Sequence, residues 1–356
     1  MKGLKKITCA ALAAAVAASM TGCSLDASWI AKSGETKLPS GVYAAYVLQD
    51  VMYGYMMSGS AYLDQEGLSE SLVEDAKAYC TELLAYQCKA DEMGITLTEE
   101  EKAEAGSALD ADWASYSAIY EANRVSRESM NLSYEISELS GKLFKAIYGV
   151  GGTQGVAQEE INAIFDENYL KAGLMIFSKP STIDTTDKSE EEKKTLQETY
   201  DNSMAELQTE VDYWVEQAKT IMADGSSFND VMIAYDFETQ AEEYGVANID
   251  VDVESSRYAF VDKRDETIPA ELIAHLETAE LNSVEVVETE EYLIIACPQD
   301  KNSSEEDKVT AYDQILMELK GEEMTAMMEE YKESLNIEWN DGAIKRFAPE
   351  KMLIGY

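Results

Sequence analysis

The chain contains one histidine, His275, and this limits the chemistry open to it. A histidine-based metal site needs partners, and neither an H-E-x-x-H nor a C-x-x-C spacing occurs. Nucleophilic catalysis would need a Ser or Cys held against His275, and no G-x-S-x-G elbow presents one. His275 therefore reads as a surface residue of a short helix. Nucleotide-binding glycine motifs are absent too, and the glycine-rich stretch 149–155 reads as an interdomain linker. Asp250, Asp252 and Glu254 alternate, which would put three carboxylates on one face of a strand. They lack the glycine and closing glutamate of an EF-hand loop, so a solvated, aggregation-resistant edge is the expectation. No metal or cofactor is expected. With 69 acidic side chains in the chain, any chosen pair of carboxylates is weak evidence for glycoside hydrolysis.

The sharpest motif is an address. Lys2, Lys5 and Lys6 precede a short apolar run from Ile7 to Ala18, which ends in Met20-Thr21-Gly22-Cys23. That run is shorter than a spanning helix and has the form of a secretory signal. Small residues before Cys23 resemble the bacterial lipobox, which implies cleavage after residue 22 and a diacylglycerol on the Cys23 thiol. Residues 24–28 then read as a short tether. Cys80 and Cys88 lie eight positions apart in a helical pattern, about 12 Å along the axis. A disulfide needs Cα atoms within roughly 7 Å, so Cys80, Cys88 and Cys297 read as small buried hydrophobes.

A formal charge of −41 across 356 residues excludes a nucleic-acid footprint and a basic lipid-binding patch. Length and a 46% hydrophobic content fit two or three globular domains. A hairpin is expected at Trp29–Lys32 and Thr36–Leu38, followed by helices from Ser40, over 71–93, and from Thr98 to about Glu121. Ser126 can cap a further helix ending near Tyr148. After the glycine stretch come a short helix over 158–169, a buried strand over 174–177, a long helix over 190–223 and a short one over 228–235. A strand is expected within 246–262, a helix over 268–278, an antiparallel pair at 284–287 and 292–296, and a last helix over 305–335. The plan is α+β.

This order resembles the SurA/PrsA-type extracytoplasmic foldases, in which a helical chaperone domain is interrupted by a parvulin peptidyl-prolyl isomerase domain. The residues that carry the likeness are Trp29 to Tyr43, Leu316 to Met324, Tyr331 to Asn336, Ala343 to Phe347, Gly225-Ser226-Ser227-Phe228 and Tyr292 to Ala296. The resemblance implies a signal peptide over 1–22, an N-terminal helical chaperone domain over 23–155, a parvulin-like domain over 156–303, and a C-terminal helix and tail over 304–356 that pack back on the N-terminal domain. Active parvulins carry one histidine on their first strand and another on the last. The corresponding positions here read as Leu174 and Leu293, and of the usual glycine-rich segment only Gly245 remains. Two leucines cannot supply the hydrogen bonds that stabilise a twisted prolyl amide.

The expected function is thus a chaperone anchored in the bacterial cell membrane through Cys23, with a degenerate isomerase domain and with unfolded or newly exported polypeptides as partners. Met317, Met324, Met327 and Met328 in the last helix are candidates either for flexible client contact or for core. An isomerase with an atypical pocket and a solute-binding lipoprotein are the alternatives. The latter is disfavoured by the lack of repeated β-α-β units.

Overall fold

A computed structural model of the chain describes residue 26 and residues 28–183, 186, 188–244 and 256–354. The signal segment 1–22, Cys23, Gly245, Asp250, Asp252 and Glu254 lie outside the described residues. The fold is α+β, mostly helical, with two small antiparallel sheets. It divides into two compact units, one from Met1–Val156 and Leu319–Tyr356, the other Ala157–Glu318.

The first unit opens with the hairpin β1 (Trp29–Ser33) and β2 (Thr36–Pro39), turned at Gly34, whose φ of 58° suits a residue without Cβ. Four main helices follow: α1 (Ser40–Ser58), α2 (Leu68–Met93), α3 (Glu99–Ala108) and α4 (Asp110–Ala122). α5 (Arg127–Tyr148) completes the N-terminal set. Gly94 closes α2 in the left-handed conformation, and Thr98 with Glu101 forms the expected capping box of α3. One helix was expected from Thr98 to about Glu121. Instead the chain breaks at Leu109, just after the weak helix formers Gly106 and Ser107, which turns the Leu109 side chain fully into the core.

Ser126 caps α5 by accepting a hydrogen bond from the Ser129 N–H at 3.2 Å. Beside it sits Asp26, fully buried rather than part of a solvated tether. One Asp26 carboxylate oxygen accepts from the Ser126 N–H at 2.6 Å and from the Ser129 hydroxyl at 3.0 Å. The Asp26 carbonyl accepts from the Gly41 N–H at 3.1 Å and the Ser40 hydroxyl at 3.0 Å. A Cβ on Gly41 would lie 2.2 Å from the Ser129 oxygen, so the glycine is what lets α1 approach this network. The carboxylate also sits where the α5 dipole favours negative charge.

The core of this unit is built on Ile30, Leu38, Tyr43, Leu48, Leu84 and Ile136. Cys80 and Cys88 are buried free thiols within it. The stretch 149–155 is an ordered stop rather than an open linker. Gln154 N–H returns to the Ile147 carbonyl at 2.7 Å and Val156 N–H to that of Tyr148 at 2.9 Å.

In the second unit α6 (Gln158–Asn168) leads into β3 (Tyr169–Ser178), which is longer than the expected 174–177. The long α7 (Glu190–Ala223) has the expected bounds, and α8 (Phe228–Tyr244) runs on through Ala241-Glu242-Glu243 instead of ending at Tyr235. Then come β4 (Ala259–Asp262), α9 (Ala270–Thr278), β5 (Glu285–Glu288) and β6 (Tyr292–Gln299). The sheet order is β4-β3-β6-β5, antiparallel throughout.

Side chains alternate across this sheet. Met175, Phe177, Leu293, Ile295 and Cys297 pack under α7 and α8 through Val211, Trp214, Ala218, Phe228 and Val231. Ala172, Ile294, Ala296 and Val287 face α9 through Leu272 and Leu276. Gly173 is needed for close approach, since a Cβ there would lie 2.4 Å from the Phe228 ring.

The last long helix, α10 (Glu305–Ser334), contributes residues to both units. It was expected to belong wholly with the N-terminal helices. Its first turns pack in the second unit: the Tyr312 ring meets Phe165 edge-on at 5.3 Å and its hydroxyl donates to Asn162 at 2.9 Å. Met324 and Met328 are buried, so two of the four methionines are core; Met327 is half-buried and Met317 is 54% exposed. A two-residue strand, β7 (Glu338–Trp339), pairs with β1, and α11 (Asp341–Arg346) covers the tail expected to be irregular.

Candidate functional site

The two positions singled out on the second unit's sheet are not neighbours. Leu293 lies opposite Phe177, while Leu174 lies opposite Ala296. The odd separation of Leu174 and Phe177 puts their side chains on opposite faces. Leu293 is 2% exposed under α7 and α8, whereas Leu174 is half-buried on the α9 face. The expected side-by-side pair is therefore corrected to two residues in separate cores. Around Leu293 the face is closed by rings: Phe177 meets Tyr235 at 5.5 Å, and Tyr235 meets Trp214 at 5.2 Å. Burial pushes the Cys297 thiol up to about 11, which leaves it protonated and unreactive at neutral pH.

His275 is also placed differently from expectation. Its side chain is 15% exposed, inside the α9–β5 contact, with Nδ1 3.8 Å from a Glu285 carboxylate oxygen. Nε2 is buried without a hydrogen-bond partner, and among the described residues no Ser or Cys bonds to the ring. It is not set up as a general base. Among the described residues no group of three or more His, Cys, Asp or Glu side chains is placed to hold a metal ion.

A different arrangement stands out in the first unit. α1, α2 and α5 line a cleft of about 240 Å³, bordered by Tyr46, Gln49, Tyr79, Met130, Ser133 and Tyr134. Tyr46 and Tyr79 stack with ring centroids 4.7 Å apart and planes 26° apart. Gln49 donates to the Tyr120 hydroxyl at 3.3 Å, which donates to Asp112 at 2.9 Å, so this wall of the cleft is fixed by a polar relay.

One helical turn from each stacked tyrosine is an aspartate, Asp50 on α1 and Asp75 on α2. Burial first, then the charge of Asp75, raises the Asp50 carboxyl above its ordinary range. Burial, Asp50 and Asp75 likewise raise the Tyr46 and Tyr62 hydroxyls. Tyr62 comes from the 3-10 turn Gly59–Asp64 and lies against Gly54, where an added Cβ would be 2.1 Å from its ring. The end of α1 then exposes Tyr53 (63%), Met56 (72%) and Met57 (68%) to solvent.

Sequence reading placed Tyr46 and Tyr79 on apolar helix stripes and took no notice of the acids beside them. The signal was present as Tyr46-Asp50-Tyr53 at i, i+4, i+7 and Asp75-Tyr79 at i, i+4.

No protein-family model and no curated protein matches the chain. Among solved structures it is similar to the foldase protein PrsA from Streptococcus pneumoniae, with 12% identity and a TM-score of 0.38 over 82% of this chain and 95% of that one. It is similar to PrsA from Bacillus subtilis with 12% identity and a TM-score of 0.34, covering 90% of this chain and 98% of that one. For the foldase protein PrsA from Lactococcus lactis the identity is 10% and the TM-score 0.35, covering 90% and 99%.

Proposed function

We propose that this protein is an extracytoplasmic chaperone, anchored to the membrane through a lipid on Cys23, that holds extended segments of newly exported polypeptides. In this reading the second unit is a parvulin-like domain without isomerase chemistry. The observation that carries the holding role is the exposed run of Tyr53, Met56 and Met57 beside the tyrosine cleft of the same unit. Large apolar side chains grouped in water mark an interaction surface, and flexible Met with amphipathic Tyr suits partners of varied sequence. The inert second unit is supported by the apolar packing around Leu293. Lowering an amide rotation barrier of about 18–20 kcal/mol requires hydrogen bonds aimed at the twisted form, and the rings that close this face present none to a substrate.

The test is suppression of aggregation of a reduced, unfolding client by the purified protein. Replacing Tyr53, Met56 and Met57 together with Ser should cut suppression several-fold while leaving the thermal midpoint within about 2 °C, because surface changes of this kind cost about 0.5 kcal/mol or less each. Equal suppression by the triple variant would overturn the surface assignment. In a protease-coupled prolyl-peptide assay the wild-type protein should not exceed the spontaneous rate. Cys23→Ala should move the protein from the membrane fraction into the soluble one, and retention would reveal another anchor.

A further inference from the structure

We propose that the cleft between α1, α2 and α5 is a cation-binding subsite, which takes the lysine or arginine side chain of a bound polypeptide between tyrosine rings and the carboxylates of Asp50 and Asp75. The proposal rests on the holding function above and names the class of segment held.

The geometry supplies both halves of such a site. Tyr46, Tyr79 and Tyr62 give aromatic faces, which attract cations through the negative potential above the ring. Asp50 and Asp75 lie close enough to act electrostatically on Tyr46, Tyr62 and each other. No basic side chain contributes to the electrostatics of Tyr46, Asp50, Tyr62 or Tyr79. Two mutually repelling carboxylates beside half-buried rings are a poor arrangement for stability alone, and a cation brought from outside would relieve it.

The same unit shows what a filled version looks like. Lys89 lies 4.7 Å over the Tyr331 ring, with its ammonium 3.3 Å from the Glu92 carboxylate, and the Tyr331 hydroxyl donates to Glu92 at 2.7 Å. There the carboxyl is held below its usual range, by the Tyr331 hydroxyl first and Lys89 after it. At Asp50 the shift has the opposite sign. Ring and carboxylate recur at the cleft, and the lysine does not. The cleft's mouth continues toward Tyr53 along α1, so an extended segment with an apolar residue near its basic one would meet both features. A chain of net charge −41 adds long-range attraction for such segments.

Fluorescence anisotropy with a labelled, unstructured peptide of leucine, serine and lysine, and its twin with every lysine replaced by glutamine, tests this on the purified protein. The lysine peptide should bind about tenfold tighter at low ionic strength, with the margin shrinking in salt. Asp50→Asn with Asp75→Asn should bring the two peptides within about twofold of each other, and should raise the thermal midpoint because a like-charge pair is removed. Glu190→Gln with Glu191→Gln, an equal charge change on exposed α7, should leave the preference intact. The proposal is overturned if the double-Asn variant keeps the preference or if the α7 control loses it equally. Equal binding of both peptides by the wild-type protein overturns it too, while leaving the holding function standing. Binding of neither peptide, with no suppression of aggregation, overturns both.

Discussion

Leu293→Asp should destroy the cooperative structure of the Ala157–Glu318 unit, while Leu174→Asp should leave it folded. Both leucines sit in the two central strands, and a reading of sequence alone gives them equal weight. The register separates them. Leu293 is 2% exposed, inside a core that also holds Phe177, Trp214 and Met175. A carboxylate there would be an unpaired buried charge costing several kcal/mol, even after it takes up a proton. That is a large share of the 5–15 kcal/mol that ordinarily separates folded from unfolded domains. Leu174 is only half-buried, and an aspartate there can turn its head to water for about 1–2 kcal/mol. Hydrogen exchange of β3 and β6 amides in the whole protein reads the difference: full loss of protection for Leu293→Asp, partial loss for Leu174→Asp. Equal loss in both would mean that the β3–β6 register is wrong.

Asp307→Ala should cost about 3–5 kcal/mol, far more than loss of any surface ion pair in the chain. Its partner Lys171 projects from β3 with a side chain only 3% exposed. The ammonium donates to Asp307 and to the Ser303 hydroxyl, the latter at 3.3 Å, and lies 5.5 Å from the Tyr258 ring and 5.7 Å from that of Phe260. Without Asp307 a buried ammonium keeps one hydroxyl and two ring faces. Pairing Asp307→Leu with Lys171→Met removes both charges and should recover most of the loss, because well-packed apolar residues replace buried ion pairs at little cost. Urea midpoints of the single and double variants measure this. A single-variant cost below about 1 kcal/mol would place the pair in water rather than in the core.

What was legible in the sequence is what depends on near neighbours. Gly94, Thr98 with Glu101, and Ser126 end or start helices through bonds that span a few residues, and each does so where expected. The 3.6-residue spacing of Val211, Trp214 and Ala218 fixes the buried face of α7 in the same local way. What was hidden depends on partners far along the chain. Alternation within β3 and within β6 sorts each strand into two faces, but not which face of one meets which of the other, so Leu174 was paired with the wrong side. β7 has two residues and exists only because β1 is there to receive it. The break at Leu109 follows the needs of the core and not any strong punctuating residue. The tyrosine cleft needed three helices to be brought together before its tyrosines and aspartates could be seen as one group.

Asp26 was hidden for the same reason, since Ser126 and Ser129 lie a hundred residues away in sequence. Its burial sets the length of the leash. Cys23 and Asp26 are three positions apart, and three residues of fully extended chain reach no further than about 11 Å. With a lipid on Cys23, the first fixed point of the helical unit would be moored within roughly the thickness of a headgroup layer, with almost no slack for it to drift or swing. Exported chains emerging from the same membrane would then meet the cleft as a near-surface neighbour, at an effective concentration set by that short mooring and not by diffusion through the wall space beyond.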